Sequence, residues 1–159
     1  MSMETVPMTP EGYKKLEEKV RFLTNEEMPR LEKLLGEARE KGDLSENAEY
    51  DAAREEIWNT ERILAECNDR LSRAEVISPD KVPTDMIAIG ALVKSEDIDA
   101  KFTEEILLVG EGESREEYDC VSVASPLGLA YIGKKVGDIV EVAAPRGTLR
   151  FKVIEFKYI

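Results

Sequence analysis

The feature that most constrains the fold is a run of mostly apolar residues, spaced alternately four and three apart, in the first half of the 159-residue chain. The run comprises Ala53, Ile57, Thr60, Leu64, Cys67, Leu71 and Ala74. This spacing places all of its members on one side of a helix, as in the a and d positions of a coiled coil. It therefore predicts a long helix whose seam, including Cys67, packs against another helix.

A second helical pattern precedes this seam. Thr9 followed by Pro10 is a helix-start signal, an N-cap residue and then a proline at the first helical position. Apolar residues then recur at helical spacing at Tyr13, Leu16, Val20 and Leu23, and again at Leu31, Leu34, Leu35 and Ala38. Pro29 predicts a kink or short interruption between the two stretches, and Gly42 predicts a stop. Two arms joined by a few residues predict an antiparallel coiled-coil hairpin.

The second half of the chain has a pattern of residues that is typical of strands rather than of long helices. Five segments rich in β-branched residues alternate well enough to be strands, and Ser125 with Pro126 begins one short helix that stops at Gly133. The stretch before them contains two prolines among polar residues and is typical of a linker. We therefore predict an α+β chain with a hairpin at 1–78, a linker at 79–84 and a small domain at 85–159.

Composition excludes several classes of function. The chain has no histidine, which rules out His-based general acid–base catalysis, and its two cysteines lie far apart, which disfavours a zinc site. The net charge is −12, with both halves acidic, so we expect no strong binding to free DNA, and any nucleic acid would have to be presented by a partner. The longest apolar run is far short of the ~20 residues of a membrane span, and we expect a cytoplasmic protein with reduced thiols.

The stretch from Ala38 to Glu55, AREKGDLSENAEYDAARE, concentrates acidic residues at the end of the hairpin. Asp43 and Glu46 lie between the two predicted arms. One interpretation is a capping box, in which Asp43 or Ser45 accepts from the first amides of the second helix and Glu46 reaches back. Glu49 and Asp51 are interpreted as solvated helix charge.

The chain resembles the GreA/GreB family of bacterial transcript cleavage factors. The resemblance covers nearly the whole chain, through MTPEGYKKL, AREKGDLSENAEYDAARE, RLSRAEVI, SPLGLAYIGKKVGD and FKVIEFKYI. It implies a coiled-coil hairpin followed by an FKBP-like domain. It also implies that the second domain docks on RNA polymerase at the rim of the secondary channel. The hairpin tip would then reach the catalytic centre and stimulate cleavage of the 3′ end of backtracked nascent RNA.

The resemblance implies a role for each part of the tip. Asp43 and Glu46 would be the catalytic carboxylates that help to hold a Mg²⁺ ion, shared with the polymerase active site and not stably bound by the free protein. Arg39, Lys41 and Arg54 would contact the RNA. The protein would then not be an enzyme itself. For Arg39 and Arg54 the alternative is pairing with nearby acids such as Asp43.

The family also implies that Ser125, Pro126 and Leu127 dock on the polymerase, with local helix capping as the alternative. The chain departs from the usual family pattern at Lys41 and Asp51, where histidines are common, and in the segment EEIWNTERI. Prolyl isomerase activity is not expected, because the single tryptophan lies in the hairpin and fold alone does not carry activity. Two other functions remain open at this point: a polymerase inhibitor of the same fold, and a coiled-coil adaptor that makes no catalytic contribution.

Overall fold

The computed structural model describes residues 4–42 and 47–159. Contacts between Cα atoms divide the chain into two compact units, Lys14–Arg73 on the one hand and the segment up to Tyr13 with Ala74–Ile159 on the other. The predicted class is confirmed, since a helical hairpin is followed by a small α+β domain. The predicted boundaries 1–78, 79–84 and 85–159 stay predictions.

The first arm of the hairpin is interrupted before Pro29, as predicted. Helix α1 (Pro10–Phe22) leads into a π-helical segment, Leu23–Glu27, and then into α2 (Met28–Glu40). The amide of Met28 donates to the carbonyl of Leu23, five residues back. Proline has no N–H for the usual helical hydrogen bond. The helix therefore forms a wider, π-helical turn just before Pro29, and α2 begins with Pro29 in its first turn.

The second arm is one continuous helix, α3 (Ala48–Ser72). Its predicted seam is confirmed from Ala53 to Leu71. Ala53, Thr60 and Cys67 are buried, and Ile57, Leu64 and Leu71 are partly buried. The predicted last member, Ala74, lies beyond the end of α3 in a short strand. The hydroxyl of Thr60 donates to the carbonyl of Glu56 at 2.9 Å, which satisfies a polar group in an otherwise apolar seam.

Two contacts show that α2 and α3 run antiparallel. Arg30, near the start of α2, lies 3.9 Å from the carboxylate of Glu56, whereas Lys41, just after α2, lies 2.8 Å from that of Glu49. Residue numbers therefore rise along one arm as they fall along the other. Leu31 and Ala38 are the buried residues that α2 contributes to this packing.

Two short strands, which the sequence did not predict, flank the hairpin in the chain. Strand β1 (Val6–Met8) pairs in parallel with β2 (Ala74–Val76). Next to β1, the Oγ1 of Thr9 accepts from the amide of Gly12 at 3.0 Å, which confirms the predicted N-cap of α1. The Thr9 amide in turn donates at 3.0 Å to the carboxylate of Glu113, so the start of α1 is fixed to a loop of the second domain.

The second domain is built on a mixed five-stranded sheet. The predicted number of strands in this domain is confirmed. The strands are β3 (Ala91–Asp97), β4 (Phe102–Val109), β5 (Cys120–Ser122), β6 (Ile139–Ala144) and β7 (Gly147–Tyr158). Their order across the sheet is β5-β4-β3-β7-β6, and only β4 and β5 pair in parallel.

The core of this domain lies between the sheet and the short helix α4 (Pro126–Tyr131). Its buried members come from β3, β4, β6, β7, α4 and the segment before β3: Ile87, Ala91, Val93, Ile106, Leu108, Tyr131, Val140, Phe151 and Val153. The hydroxyls of Tyr131 and Ser95 are hydrogen-bonded at 2.8 Å, and burial raises the pKa of Tyr131. None of the helices in the described ranges has the apolar stretch that a bilayer crossing requires.

Candidate functional site

The hairpin arms end a few residues apart in the chain. After α2 the amide of Lys41 donates to the Ala38 carbonyl at 3.2 Å, and Gly42 follows with φ 121°, a left-handed conformation that favours glycine. The predicted stop at Gly42 is therefore confirmed. Asp43 and Glu46 lie outside the described residues, so their predicted metal role stays a prediction.

Asn47 caps the second arm and bridges it to the first. Its Oδ1 accepts from the amide of Tyr50 at 3.1 Å, the usual geometry of an N-cap. Its Nδ2 donates to the carbonyl of Ala38 in the last turn of α2. The N-cap of α3 is thus Asn47, which the sequence analysis did not single out. The predicted capping box of Asp43, Ser45 and Glu46 lies outside the described residues.

The sequence did contain a signal for this cap. Asparagine ranks with aspartate and serine as an N-cap residue, and Asn47 immediately precedes a stretch with Glu49 in its first turn. Asp43 and Ser45 offer the same chemistry four and two residues earlier in the chain, so the local pattern alone does not select Asn47. The bond from Asn47 to Ala38 joins two arms and has no counterpart in a local pattern.

Two of the predicted RNA-binding arginines lie over aromatic rings. The guanidinium of Arg39 is 5.9 Å from the centre of the Tyr50 ring, and that of Arg54 is 4.8 Å from the centre of the Trp58 ring. The predicted alternative of an Arg54 ion pair is not found within the part of the chain that the structure describes. A pair between Arg39 and Asp43 lies outside the described residues.

Lys41, the third predicted RNA contact, is already paired. Its Nζ is 2.8 Å from the Glu49 carboxylate, and both side chains are largely exposed. The hydrogen bond from Lys41 to Glu49, supported by the charge of Glu49, raises the pKa of Lys41. Glu49 and Asp51 are both exposed, which agrees with their interpretation as surface charge. Within residues 4–42 and 47–159, no three His, Cys, Asp or Glu side chains come together in a metal-binding arrangement.

The residues predicted to dock on the polymerase have clear local roles. The Oγ of Ser125 accepts from the Gly128 amide at 3.1 Å and donates to the Ser122 carbonyl at 2.6 Å, so it caps α4. Pro126 is the first residue of the helix, and Leu127 is partly buried against the core. The capping alternative is thus observed for Ser125. The predicted docking role of Ser125, Pro126 and Leu127 stays a prediction.

The exposed face of α4 and the chain after it carry apolar side chains that the sequence reasoning did not single out as a surface. Their exposed fractions are 62% for Leu129, 38% for Ile132, 59% for Val136 and 52% for Ile139. Exposed apolar side chains mark a contact with another protein where they are contiguous.

A helical hairpin followed by a small mixed-sheet domain defines a two-part α+β protein. Two family models match the chain. The transcription elongation factor N-terminal model covers residues 6–76, and the GreA/GreB C-terminal model covers residues 82–158. The chain belongs to the GreA/GreB family of transcription elongation factors.

Individual relatives agree with the family models. The chain is 43% identical over 155 residues to the transcription elongation factor GreA of Thermodesulfovibrio yellowstonii, with 98% of each chain covered. It is 41% identical over 157 residues to that of Bartonella henselae, with 99% of this chain and 100% of the relative covered. Among solved structures, the GreA factor homolog Gfh1 of Thermus thermophilus is 26% identical, covers 96% of this chain and 99% of its own, and has a TM-score of 0.45.

Proposed function

We propose that this protein binds RNA polymerase, inserts the end of its helical hairpin into the secondary channel and stimulates endonucleolytic cleavage of the 3′ end of backtracked nascent RNA. The observation that carries the proposal is the match to the family over both parts of the chain, together with an uninterrupted GDLSENAEY motif between the arms. The arms α2 and α3 on either side of this motif form the antiparallel hairpin that the proposal requires. Arrested transcription complexes would be rescued in this way.

The reach of the hairpin fits the proposal. Helix α3 has 25 residues, which corresponds to about 37 Å at 1.5 Å per residue. A rod of that length can carry side chains at its end into a narrow channel while the other domain stays outside. The apolar seam holds α2 and α3 together along the hairpin.

Asp43 and Glu46 are the proposed catalytic residues and metal ligands. Carboxylate oxygens are the donors that Mg²⁺ prefers, and Mg²⁺ is commonly held by one or two protein carboxylates with water and phosphate supplying the rest, so this pair fits the ion. A bound Mg²⁺ would stabilise the negative charge that develops on the reacting oxygens of the RNA. The protein then contributes ligands to an active site that belongs to the polymerase and is not an enzyme by itself.

The position of Asn47 supports this assignment. Because Asn47 caps α3, neither Asp43 nor Ser45 is needed at the N-cap. An acid that is not committed to holding a helix end is available for a ligand. Asn47 also ties the start of α3 to the last turn of α2, the two helices that flank the motif.

Arg39, Lys41 and Arg54 are the proposed RNA contacts. Arg39 and Arg54 are held on aromatic rings rather than in ion pairs between described residues, so their donors remain available to phosphate. Lys41 would exchange Glu49 for a phosphate, which is feasible because an exposed ion pair contributes little.

The second domain is proposed to dock on the polymerase through α4. Ser125 and Pro126 fix the start of this helix, and Leu127 anchors it to the core. The side chains left for contact are the exposed ones, Leu129 and Ile132. We expect the protein to act in the cytoplasm, where its partner polymerase works.

The experiment that tests the proposal is a transcript cleavage assay on a stalled, backtracked RNA polymerase complex. The proposal predicts that the wild-type protein increases the cleavage rate. A protein that occupies the polymerase and lowers RNA synthesis without cleavage would instead be an inhibitor of the same fold. A protein that binds and changes neither rate would be an adaptor, and both results contradict the proposal.

A further inference from the structure

One side of α3 carries aromatic and basic residues in alternation. Tyr50, Arg54, Trp58 and Arg62 follow one another at intervals of four residues. Each interval turns the helix by about 40° beyond a full turn, so the four side chains lie along a gently rotating stripe. The stripe starts three residues after the N-cap and runs away from the hairpin end.

The stripe is separate from the hairpin seam. Trp58 is 59% exposed, whereas its chain neighbour Ile57 and the nearby Thr60 belong to the partly or fully buried seam. A large apolar ring that is left in water contributes little to holding the two arms together. Within the described ranges, the contact that the structure gives this ring is the guanidinium of Arg54, at 4.8 Å from the ring centre.

The pairing of arginine with an aromatic ring recurs along the stripe. Arg39, reaching over from α2, lies 5.9 Å from the ring centre of Tyr50, and Arg54 lies over Trp58. Arg62 follows Trp58 by one turn and pairs with Glu66 at 2.9 Å on the exposed surface. Aromatic faces flanked by arginines are the surfaces on which unpaired bases stack in proteins that bind single-stranded RNA.

The negative charge around Trp58 favours contact with an RNA base over contact with the RNA backbone at this position. The chain has a net charge of −12, and the acidic Glu55 and Glu61 lie three residues to either side of Trp58. Phosphate attraction alone is therefore weak here. Stacking on a ring needs no net positive charge, since every base offers an aromatic face.

We propose that Trp58, flanked by Arg54 and Arg62, is a stacking subsite for an unpaired base of the RNA that is extruded from the backtracked complex. This inference rests on the proposed function, because the polymerase must present the RNA to the hairpin. Trp58 follows the first residue of α3 by ten positions, about 15 Å along the axis. The subsite therefore receives a nucleotide distant from the cleaved bond, and it favours longer extruded RNAs.

Photo-crosslinking tests the contact directly. Backtracked complexes are prepared with a thio-substituted pyrimidine at successive positions of the extruded RNA, and crosslinks to the factor are mapped by peptide mass. We expect the peptide that contains Trp58 to crosslink only when the extruded RNA is long enough to reach Trp58. The shortest extruded RNAs should give no such crosslink. The complete absence of this crosslink with long extruded RNAs overturns the inference.

Cleavage kinetics provide the second test. Trp58→Ala should raise the factor concentration for half-maximal cleavage of long extruded RNAs by about fivefold or more, the effect expected from loss of one base–aromatic stack. Trp58→Phe, which keeps a ring, should stay close to the wild type. Phe22→Ala is the matched control, because Phe22 is a 50% exposed aromatic residue of α1 outside the stripe. Short extruded RNAs should be cleaved equally well by all four proteins.

Two further outcomes contradict the inference. If Trp58→Ala weakens competition for polymerase that carries no extruded RNA, Trp58 contacts the polymerase protein instead. If Trp58→Ala and the wild type have the same concentration dependence at every RNA length, no stacking takes place. Failure of the proposed function is distinguishable, because a wild-type protein that stimulates no cleavage can still be crosslinked in the uncleaved complex.

Discussion

At the scale of single residues, Asn47 connects the two arms of the hairpin. One side-chain amide accepts from the Tyr50 amide of α3 and donates to the Ala38 carbonyl of α2. It therefore joins the last turn of α2 to the first turn of α3, the two helices on either side of Asp43 and Glu46 in the chain. We expect the proposed metal site to depend on this residue, although it is not itself a proposed ligand.

We predict that Asn47→Ala lowers the free energy of local opening at the first turn of α3 by about 1–2 kcal/mol, because it removes a helix cap and a bond between the arms. Asn47→Asp should lose less, since it keeps the acceptor for the Tyr50 amide and lacks only the donor to Ala38. Amide hydrogen exchange at Tyr50 measures the effect. Equal protection in all three proteins would show that the cap and the bridge are not stabilising.

Residue-level prediction from the sequence succeeded where one candidate stood alone. Thr9 was identified as the N-cap of α1 because it directly precedes Pro10, and its Oγ1 accepts from the amide of Gly12. The N-cap of α3, Asn47, was not predicted, because several residues with the same chemistry precede the helix. The contacts of Arg39 with Tyr50 and of Arg54 with Trp58 were missed, since local acids appeared to be equally good partners.

At the scale of elements, one side of helix α4 packs against the core and the other side is exposed. Leu127 is partly buried against the core, whereas Leu129 is 62% exposed two residues later. The sequence predicted the helix from its cap and its stop. It could not tell which leucine faces the core, because a helix of one to two turns is too short to show a periodicity.

We predict different results for a charge at these two positions. Leu127→Asp should destabilise the second domain by more than about 2 kcal/mol, because it places a carboxylate against the core. Leu129→Asp should change the free energy of unfolding by less than about 0.5 kcal/mol and weaken polymerase binding by about tenfold or more. Circular dichroism during urea unfolding measures the first effect, and competition for polymerase measures the second. A folded Leu129→Asp protein that competes as the wild type does would remove α4 from the interface.

Elements were predicted to different degrees for physical reasons. The alternation of β-branched residues located the five strands of the main sheet, but their order arises from long-range pairing that the local pattern does not encode. Strands β1 and β2 have three residues each, which is too short for an alternation to stand out. Pro29 correctly indicated an interruption, and the structure shows the form that it takes, the π-helical segment Leu23–Glu27.

At the scale of the whole molecule, the net charge of −12 limits how the protein can meet nucleic acid. Binding to DNA depends mainly on the release of counterions by lysine and arginine, and an acidic protein has little to gain from it. We predict no binding to free duplex DNA tighter than about 10⁻⁴ M at physiological salt, measured by fluorescence anisotropy. A dissociation constant of about 10⁻⁸ M, typical of sequence-specific proteins, would contradict a mode of action in which the polymerase presents the RNA.

The central claim is that Asp43 and Glu46 supply metal ligands for RNA cleavage. The most direct test is the initial cleavage rate of a backtracked complex saturated with the double variant Asp43→Asn, Glu46→Gln, compared with the wild type and with Asp51→Asn as a matched exposed control. Because the double variant removes ligand charge at nearly constant size, we predict a fall of about 10²-fold or more, while polymerase binding persists and the control stays near the wild type. If the double variant is folded and bound and still cleaves at the wild-type rate, these carboxylates are not metal ligands and the proposed mechanism is wrong.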